Sequence, residues 1–249
     1  MSYFFDFFIK ELKAITFAVL VVIGFVFTLP LETHRYDVLL VYVIIVQFFL
    51  YKIGFESKKD ILIIFIFHII GLTMEIIEVS INQSWAYLNP GFFTIFNVPI
   101  FTGFMYACVG SYISKTLDIL DISLSFFPER INVIILSILI YLNFIFNNYI
   151  YDLRIVLFII IFILYYKSVL TFRLKNKDFK LPLILTFFLA AFFIWIAENI
   201  ATYLKIWTYP DAIDVWQMVS LHKISSWALL VAVSGSIIFM FKGRIDEKR

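Results

Sequence analysis

The apolar positions of this chain fall in long blocks. Eight of them, at 14–30, 37–55, 60–80, 93–114, 131–150, 154–172, 181–204 and 216–241, approach the roughly 20 residues that a helix needs to cross a bilayer. The pattern predicts an all-α polytopic membrane protein with about eight transmembrane helices. Residues 2–12, "SYFFDFFIKEL", are read as an amphipathic segment lying at the membrane interface. The first block ends "FTLPLE" with no small-x-small cleavage site after it, so it is expected to be retained. The most polar stretch, "RLKNKDFK" at 173–180, is expected to be a solvated loop.

Composition makes lipid the required solvent. The chain is 63% hydrophobic with a mean hydropathy of +0.97, and 15% of its residues are charged, against about 25% in a soluble domain. A net charge of +2, with no basic-aromatic groove pattern, argues against nucleic acid as a partner. The lipid bilayer is the expected partner. If both termini lie on one side, all but four of the 20 Lys and Arg residues fall on that side, the exceptions being Arg35, Arg154, Lys205 and Lys223. By the positive-inside rule, the N- and C-termini are then cytoplasmic. The single cysteine, Cys108, excludes an internal disulfide.

Two segments repeat a pattern. "EIIEVSINQSWAYLNP" runs from Glu75 to Pro90, and "ENIATYLKIWTYP" from Glu198 to Pro210. Each carries a glutamate near the end of an apolar block, then Trp-x-Tyr (Trp85 and Tyr87, Trp207 and Tyr209), then proline. The predicted architecture is one integral membrane domain, 1–249, built as two parallel four-helix pseudo-repeats at roughly 14–115 and 131–241. An even number of helices in each half keeps the copies in the same orientation, related by an axis along the membrane normal. On superposing the third and fourth predicted helices on the seventh and eighth by a roughly 180° rotation about that axis, Glu75 is expected to land near Glu198, and Trp85 near Trp207. Interfacial aromatic belts account for a Trp-x-Tyr without further function. The acids ask for more, because a charged side chain at helix centre costs about 3 kcal/mol on insertion scales.

Glu75 and Glu198 are therefore the candidate proton-transfer groups, together with His68, two turns before Glu75 on the same face, and His222 at the start of the last block. Trp85, Tyr87, Asn199, Trp207 and Tyr209 are the candidate substrate-binding residues. Trp195, Glu198, Asn199 and Thr202 share one helical face, and Glu198 is expected to be the most sensitive acid. Gly103, Ala107 and Ser111, at four-residue spacing, read as a close helix-packing seam. The chain has no H-E-x-x-H, no E-x-x-H and no paired-histidine box, so no metal or other cofactor is expected. It also lacks a serine triad pattern, a P-loop and a Gly-rich dinucleotide turn.

At "GLTMEIIE", "VPIFTGFMYACVGSYI" and "FFIWIAENIATYLKIWTYP", with "HKISSW", "RYD" at Arg35–Asp37 and "YLNF" at Tyr141–Phe144, the chain resembles the bacterial integral-membrane family called domain of unknown function 817. The resemblance covers nearly the whole chain. It implies a bacterial multi-pass protein of the inner (plasma) membrane and no assigned activity. In that family's pattern two histidines often stand where this chain has Asn147 and Asn148, a departure that further weakens a metal reading. The segments around Glu75–Pro99 and Glu198–Pro210 are also similar to membrane carotenoid hydratases and integral-membrane lycopene cyclases. Three readings stay open. One is an enzyme acting on a hydrophobic, isoprenoid-like small molecule by proton transfer from the membrane glutamates. The others are a proton-coupled carrier or binding protein, and a non-catalytic structural protein.

Overall fold

The computed structural model describes residues 2–31, 33–146, 149–212 and 214–245. They are mostly helical: α1 (Tyr3–Ala14), α2 (Thr16–Phe27), α3 (Arg35–Lys52), α4 (Lys58–Ile76), α5 (Gly103–Ile119), α6 (Arg130–Phe146), α7 (Arg154–Tyr165), α8 (Leu183–Tyr203) and α9 (His222–Lys242). Each apolar block of the sequence carries one helix from α2 to α9. Three helical segments are long and apolar enough to cross a membrane: Lys58–Ile81, Leu183–Tyr203 and His222–Lys242. Asn147 and Asn148, and the Lys248 and Arg249 that count among the 20 basic residues, lie outside the described residues.

Three blocks depart from continuous helix, each for a local reason. The block at 93–114 opens with a hairpin of β1 (Thr94–Ile95) and β2 (Val98–Pro99), then a 3-10 turn, Ile100–Thr102, before α5 begins. Phe96 and Asn97 at the hairpin tip both have positive φ (50° and 62°), the geometry of a two-residue turn whose twist matches antiparallel strands. In the block at 154–172, α7 stops at Tyr165. Residues 169–174 become β4 (Val169–Leu174), paired antiparallel with β5 (Lys177–Pro182), and β3 (Ser123–Ser125) joins the other edge of β4. The polar run 173–180 is thus mostly a paired hairpin rather than a solvated loop. It begins from the β-favouring "VLTF" and turns at Lys175, whose φ is 54°. In the block at 216–241 the helix starts only at His222.

The chain divides into two compact units. One comprises residues 14–114 and 198–218. Its α4 is started by a capping box, in which Ser57 and Asp60 satisfy each other's backbone N–H. Here α4 and α5 run antiparallel in close contact. A Cβ added at Gly103 would lie 2.4 Å from the His68 carbonyl oxygen, one at Gly71 2.5 Å from the Tyr106 ring, and one at Gly110 2.8 Å from Phe67. Ala107 and Ser111 are fully buried in the same unit. Small residues permit this backbone approach.

The other unit comprises residues 1–13, 115–197 and 219–249. Within it, α6 and α7 pack against α9, and the Tyr165 and Ser236 hydroxyls hydrogen-bond at 2.7 Å. The residues of α1 in this unit lie against the β4–β5 hairpin through Phe7–Phe172 and Tyr3–Phe179 ring contacts. Buried Asn143 accepts from the Leu153 N–H, and Arg154 bonds Asp152 and reaches Ser225 and Ser226 on α9.

Candidate functional site

The site lies in the unit formed by 14–114 and 198–218. At its centre is Glu75, 3% exposed, in the last turn of α4. Three donors converge on its carboxyl group. Trp85 Nε1 (2.9 Å) and the Tyr87 hydroxyl donate to Oε2, and the Tyr106 hydroxyl donates to Oε1 at 2.9 Å. Immediately after Glu75 the helix changes to a π-helical turn, Ile77–Ile81. Such turns are rare and gather at functional sites. This one carries buried Glu78, which accepts from Asn82 Nδ2 and from the Ser84 hydroxyl at 2.6 Å. The chain is thereby turned back, so that Trp85 and Tyr87 return over Glu75.

The second acid repeats this arrangement in part. Glu198 is 4% exposed on α8 and accepts from the Tyr209 hydroxyl at 2.6 Å. The Trp207 side chain hydrogen-bonds Tyr209. The two Trp-x-Tyr segments then meet at their middle residues. Ala86 and Thr208 form an antiparallel bridge, with Ala86 N donating to Thr208 O and Thr208 N to Ala86 O, both at 3.0 Å. The Trp85 and Tyr209 rings meet edge to face, with centroids 6.1 Å apart. Glu75, Glu198, Trp85, Tyr87, Trp207 and Tyr209 thus belong to one cluster. Burial, and then the neighbouring glutamate, push the Tyr87 and Tyr209 phenols well above the usual tyrosine range. Both remain protonated donors at physiological pH.

The other candidates stand apart. His68 is 8% exposed, its ring lies tilted against Phe104 (4.3 Å between ring centroids), and its Nδ1 has no hydrogen-bond partner among the described residues. Asn199 is half-buried; its carbonyl accepts from the Thr202 hydroxyl. Trp216 Nε1 donates to that same hydroxyl. His222 belongs to the other unit and is exposed at the start of α9. Trp195, also of that unit, donates to the Val219 carbonyl. Among the described residues no group of three or more His, Cys, Asp or Glu side chains could hold a metal.

Residues without an assigned role in the sequence reading complete the site. Tyr106 supplies the third donor to Glu75. The Arg-Tyr-Asp run at the start of α3 fastens both Trp-x-Tyr loops. The Arg35 guanidinium donates to the Leu204 and Lys205 carbonyls just beyond α8 and to Phe25 O near the end of α2. Cations are favoured beside such helix C-termini. Tyr36 donates to Ile206 O, and Asp37 accepts from the Phe92 and Phe93 N–H groups. Gly91, at φ 86°, lets the loop reach Asp37, since a Cβ there would lie 2.7 Å from the carboxylate.

Comparison with known proteins agrees with the quoted strings. The chain is similar to the uncharacterized protein YoaT of Bacillus subtilis (strain 168), 39% identical over 208 residues, which cover 84% of this chain and 78% of that protein. No solved structure matches. These matches lend nothing to the likeness with carotenoid hydratases and lycopene cyclases. The family described as protein of unknown function (DUF817) matches residues 3–235, nearly the whole chain, and the chain belongs to that family.

Proposed function

We propose that the chain is a multi-pass protein of the bacterial plasma membrane that couples proton binding at Glu75 and Glu198 to the opening of its paired Trp-x-Tyr loops, as a proton-coupled carrier of a hydrophobic small molecule. The observation that carries this reading is the double attachment of the loops. They bond to each other at Ala86 and Thr208, and each is tied by its tyrosine to a buried glutamate. In all three of the hydrogen bonds from Trp85, Tyr87 and Tyr106, a carboxylate oxygen of Glu75 is the acceptor. A proton added at Oε2 takes up a lone pair that Trp85 and Tyr87 share, which weakens their hold on the carboxyl and lets the loop part. Titratable carboxyl groups facing a bundle interior are the usual proton-handling groups of carriers.

In this reading all eight apolar blocks span the bilayer, with both termini cytoplasmic, as the lysine and arginine distribution asks. The loops then close the extracytoplasmic end. The two halves are parallel pseudo-repeats, and the antiparallel bridge, which sets equivalent residues of the two motifs face to face, is what a two-fold relation between them would produce. The enzymatic reading is second. It is favoured by the packed rings of Trp85 and Tyr209 in the loops above Glu75, since aromatic faces exposed by a parting of the loops would stabilise a carbocation.

Membrane vesicles carrying the protein separate the two. With an imposed proton gradient, mass spectrometry of vesicle contents should find a hydrophobic compound whose accumulation is lost with a protonophore and in Glu75→Gln and Glu198→Gln. A compound chemically converted, with no dependence on the gradient, would support the enzyme. Neither accumulation nor conversion would leave the structural reading.

A further inference from the structure

We propose a second binding site in the same unit, remote in sequence from the glutamates' loops: a groove between α3 and α4 that holds an acyl chain of an anionic phospholipid, with the headgroup at the lysines of the α3–α4 connection. The inference rests on the membrane embedding proposed above but not on any proton chemistry.

The groove is open and encloses about 360 Å3, a size within the usual range for a small-molecule site. Its walls are Ile44 and Phe48 of α3, Ile61 of α4 and Phe104 of α5, and its polar lining comes from Gln47, Tyr51 and Lys58. An apolar trough with polar groups confined to a few positions suits an amphiphile.

The charges at this connection have been sorted. Residues 52–60 include two acids and three lysines. Both acids turn inward: Glu56 is 2% exposed and accepts from Gln47 and from the Ser111 hydroxyl, and Asp60 is 1% exposed and bonds Ser57 and Ser114. Lys52, Lys58 and Lys59 are all exposed. Lys58 lines the groove, and Lys52 Nζ stands 5.3 Å from the centroid of Phe48, another lining residue. What this surface presents is therefore positive charge at the end of an apolar trough. Lys58 also occupies the first turn of α4, where the helix dipole favours an anion. In the proposed topology this end faces the cytoplasmic leaflet, whose surface is negative. A zwitterionic lipid would fill the trough and gain little from the lysines, so the charge commits the site to an anionic headgroup.

The test is native mass spectrometry of the purified full chain in detergent, titrated with phosphatidylglycerol and, separately, phosphatidylcholine of the same acyl chains. The wild type should retain one phosphatidylglycerol in preference to phosphatidylcholine. Lys58→Glu should lower phosphatidylglycerol retention by at least about fivefold, the effect of one surface lysine on an anionic lipid, while leaving phosphatidylcholine unchanged. Ile61→Trp, and independently Ile44→Trp, should fill the trough and displace both lipids. Equal retention of the two lipids by the wild type, or unchanged retention in Lys58→Glu and both tryptophan variants, would overturn the site. Loss of the glutamate-dependent transport described above would leave these results untouched, so the two readings fail separately.

Discussion

Ala86 and Thr208 exchange both of their backbone hydrogen bonds, at 3.0 Å in each direction. In an antiparallel pair of this kind the Cα atoms stand about 5.5 Å apart, within the span of a disulfide. Ala86→Cys with Thr208→Cys should therefore cross-link under mild oxidation, detected as a mobility shift reversed by reductant. Locking the loops should abolish gradient-dependent accumulation, and reduction should restore it. Unimpaired accumulation by the fully cross-linked protein would show that the loops do not need to part.

Glu75 separates a structural loss from a functional one. Glu75→Ala removes the acceptor that three donors share, two of them buried, at a cost of roughly 1–3 kcal/mol for each buried donor it leaves unsatisfied. Its thermal unfolding in detergent should shift sharply downward. Glu75→Gln can keep an oxygen towards Trp85 and Tyr87 and offer its amide to the Tyr106 hydroxyl. It should stay close to wild type in unfolding temperature while losing proton-dependent accumulation. A Gln variant as unstable as the Ala variant would argue that Glu75 serves folding alone.

Gly71 tests the α4–α5 seam. A methyl group there would lie 2.5 Å from the Tyr106 ring. Gly71→Ala should cost about 1–3 kcal/mol through overpacking and move the Tyr106 hydroxyl off Glu75. Ultraviolet resonance Raman difference spectra against Tyr106→Phe should register that move. If the spectra of Gly71→Ala match those of the wild type, the seam has relaxed elsewhere.

Asp152, outside the helices, carries the pH prediction. Its hydrogen bonds with Arg154 hold its carboxyl below the usual carboxylate range. A carboxyl with a depressed folded value stabilises above its unfolded value, near 3.9, and loses that contribution as pH falls through the folded value. Asp152→Asn should therefore unfold at a lower temperature than the wild type from pH 5 to 8, with the difference closing only below about pH 4. The pair is about one-third exposed, so the difference should be small and shrink in high salt. A gap that closed near neutrality would assign it to another group.

The apolar blocks made the helices legible, since each block from 14–30 to 216–241 carries one of the helices α2 to α9. They concealed the hairpins. At 93–99 and 169–172 the same Phe, Ile and Val residues serve strand and helix alike, and the signals of a turn were Asn97 and the polar Lys175–Asn176 pair. The Glu75 and Glu198 motifs were legible because acids are costly in apolar blocks, and the Trp-x-Tyr segments because they recur. Tyr106 was not, because nothing in "GFMYACVG" distinguishes a tyrosine that faces an acid from one in an aromatic belt. The role of Arg35 was hidden for a different reason: its acceptors are backbone carbonyls of Leu204 and Lys205, and a carbonyl has no letter in the sequence.

The bridge at Ala86 has one more consequence, in time rather than space. Its partner is 122 residues later in the chain. At roughly 5–20 residues per second, a ribosome that has delivered Ala86 needs about 6 to 25 seconds more to deliver Thr208. Through that interval the nascent protein holds Glu75 under a half-finished roof, with Arg35 still waiting for the carbonyls it will grip. Termination before α8 would leave Ala86 without Thr208, and Arg35 without the Leu204 and Lys205 carbonyls.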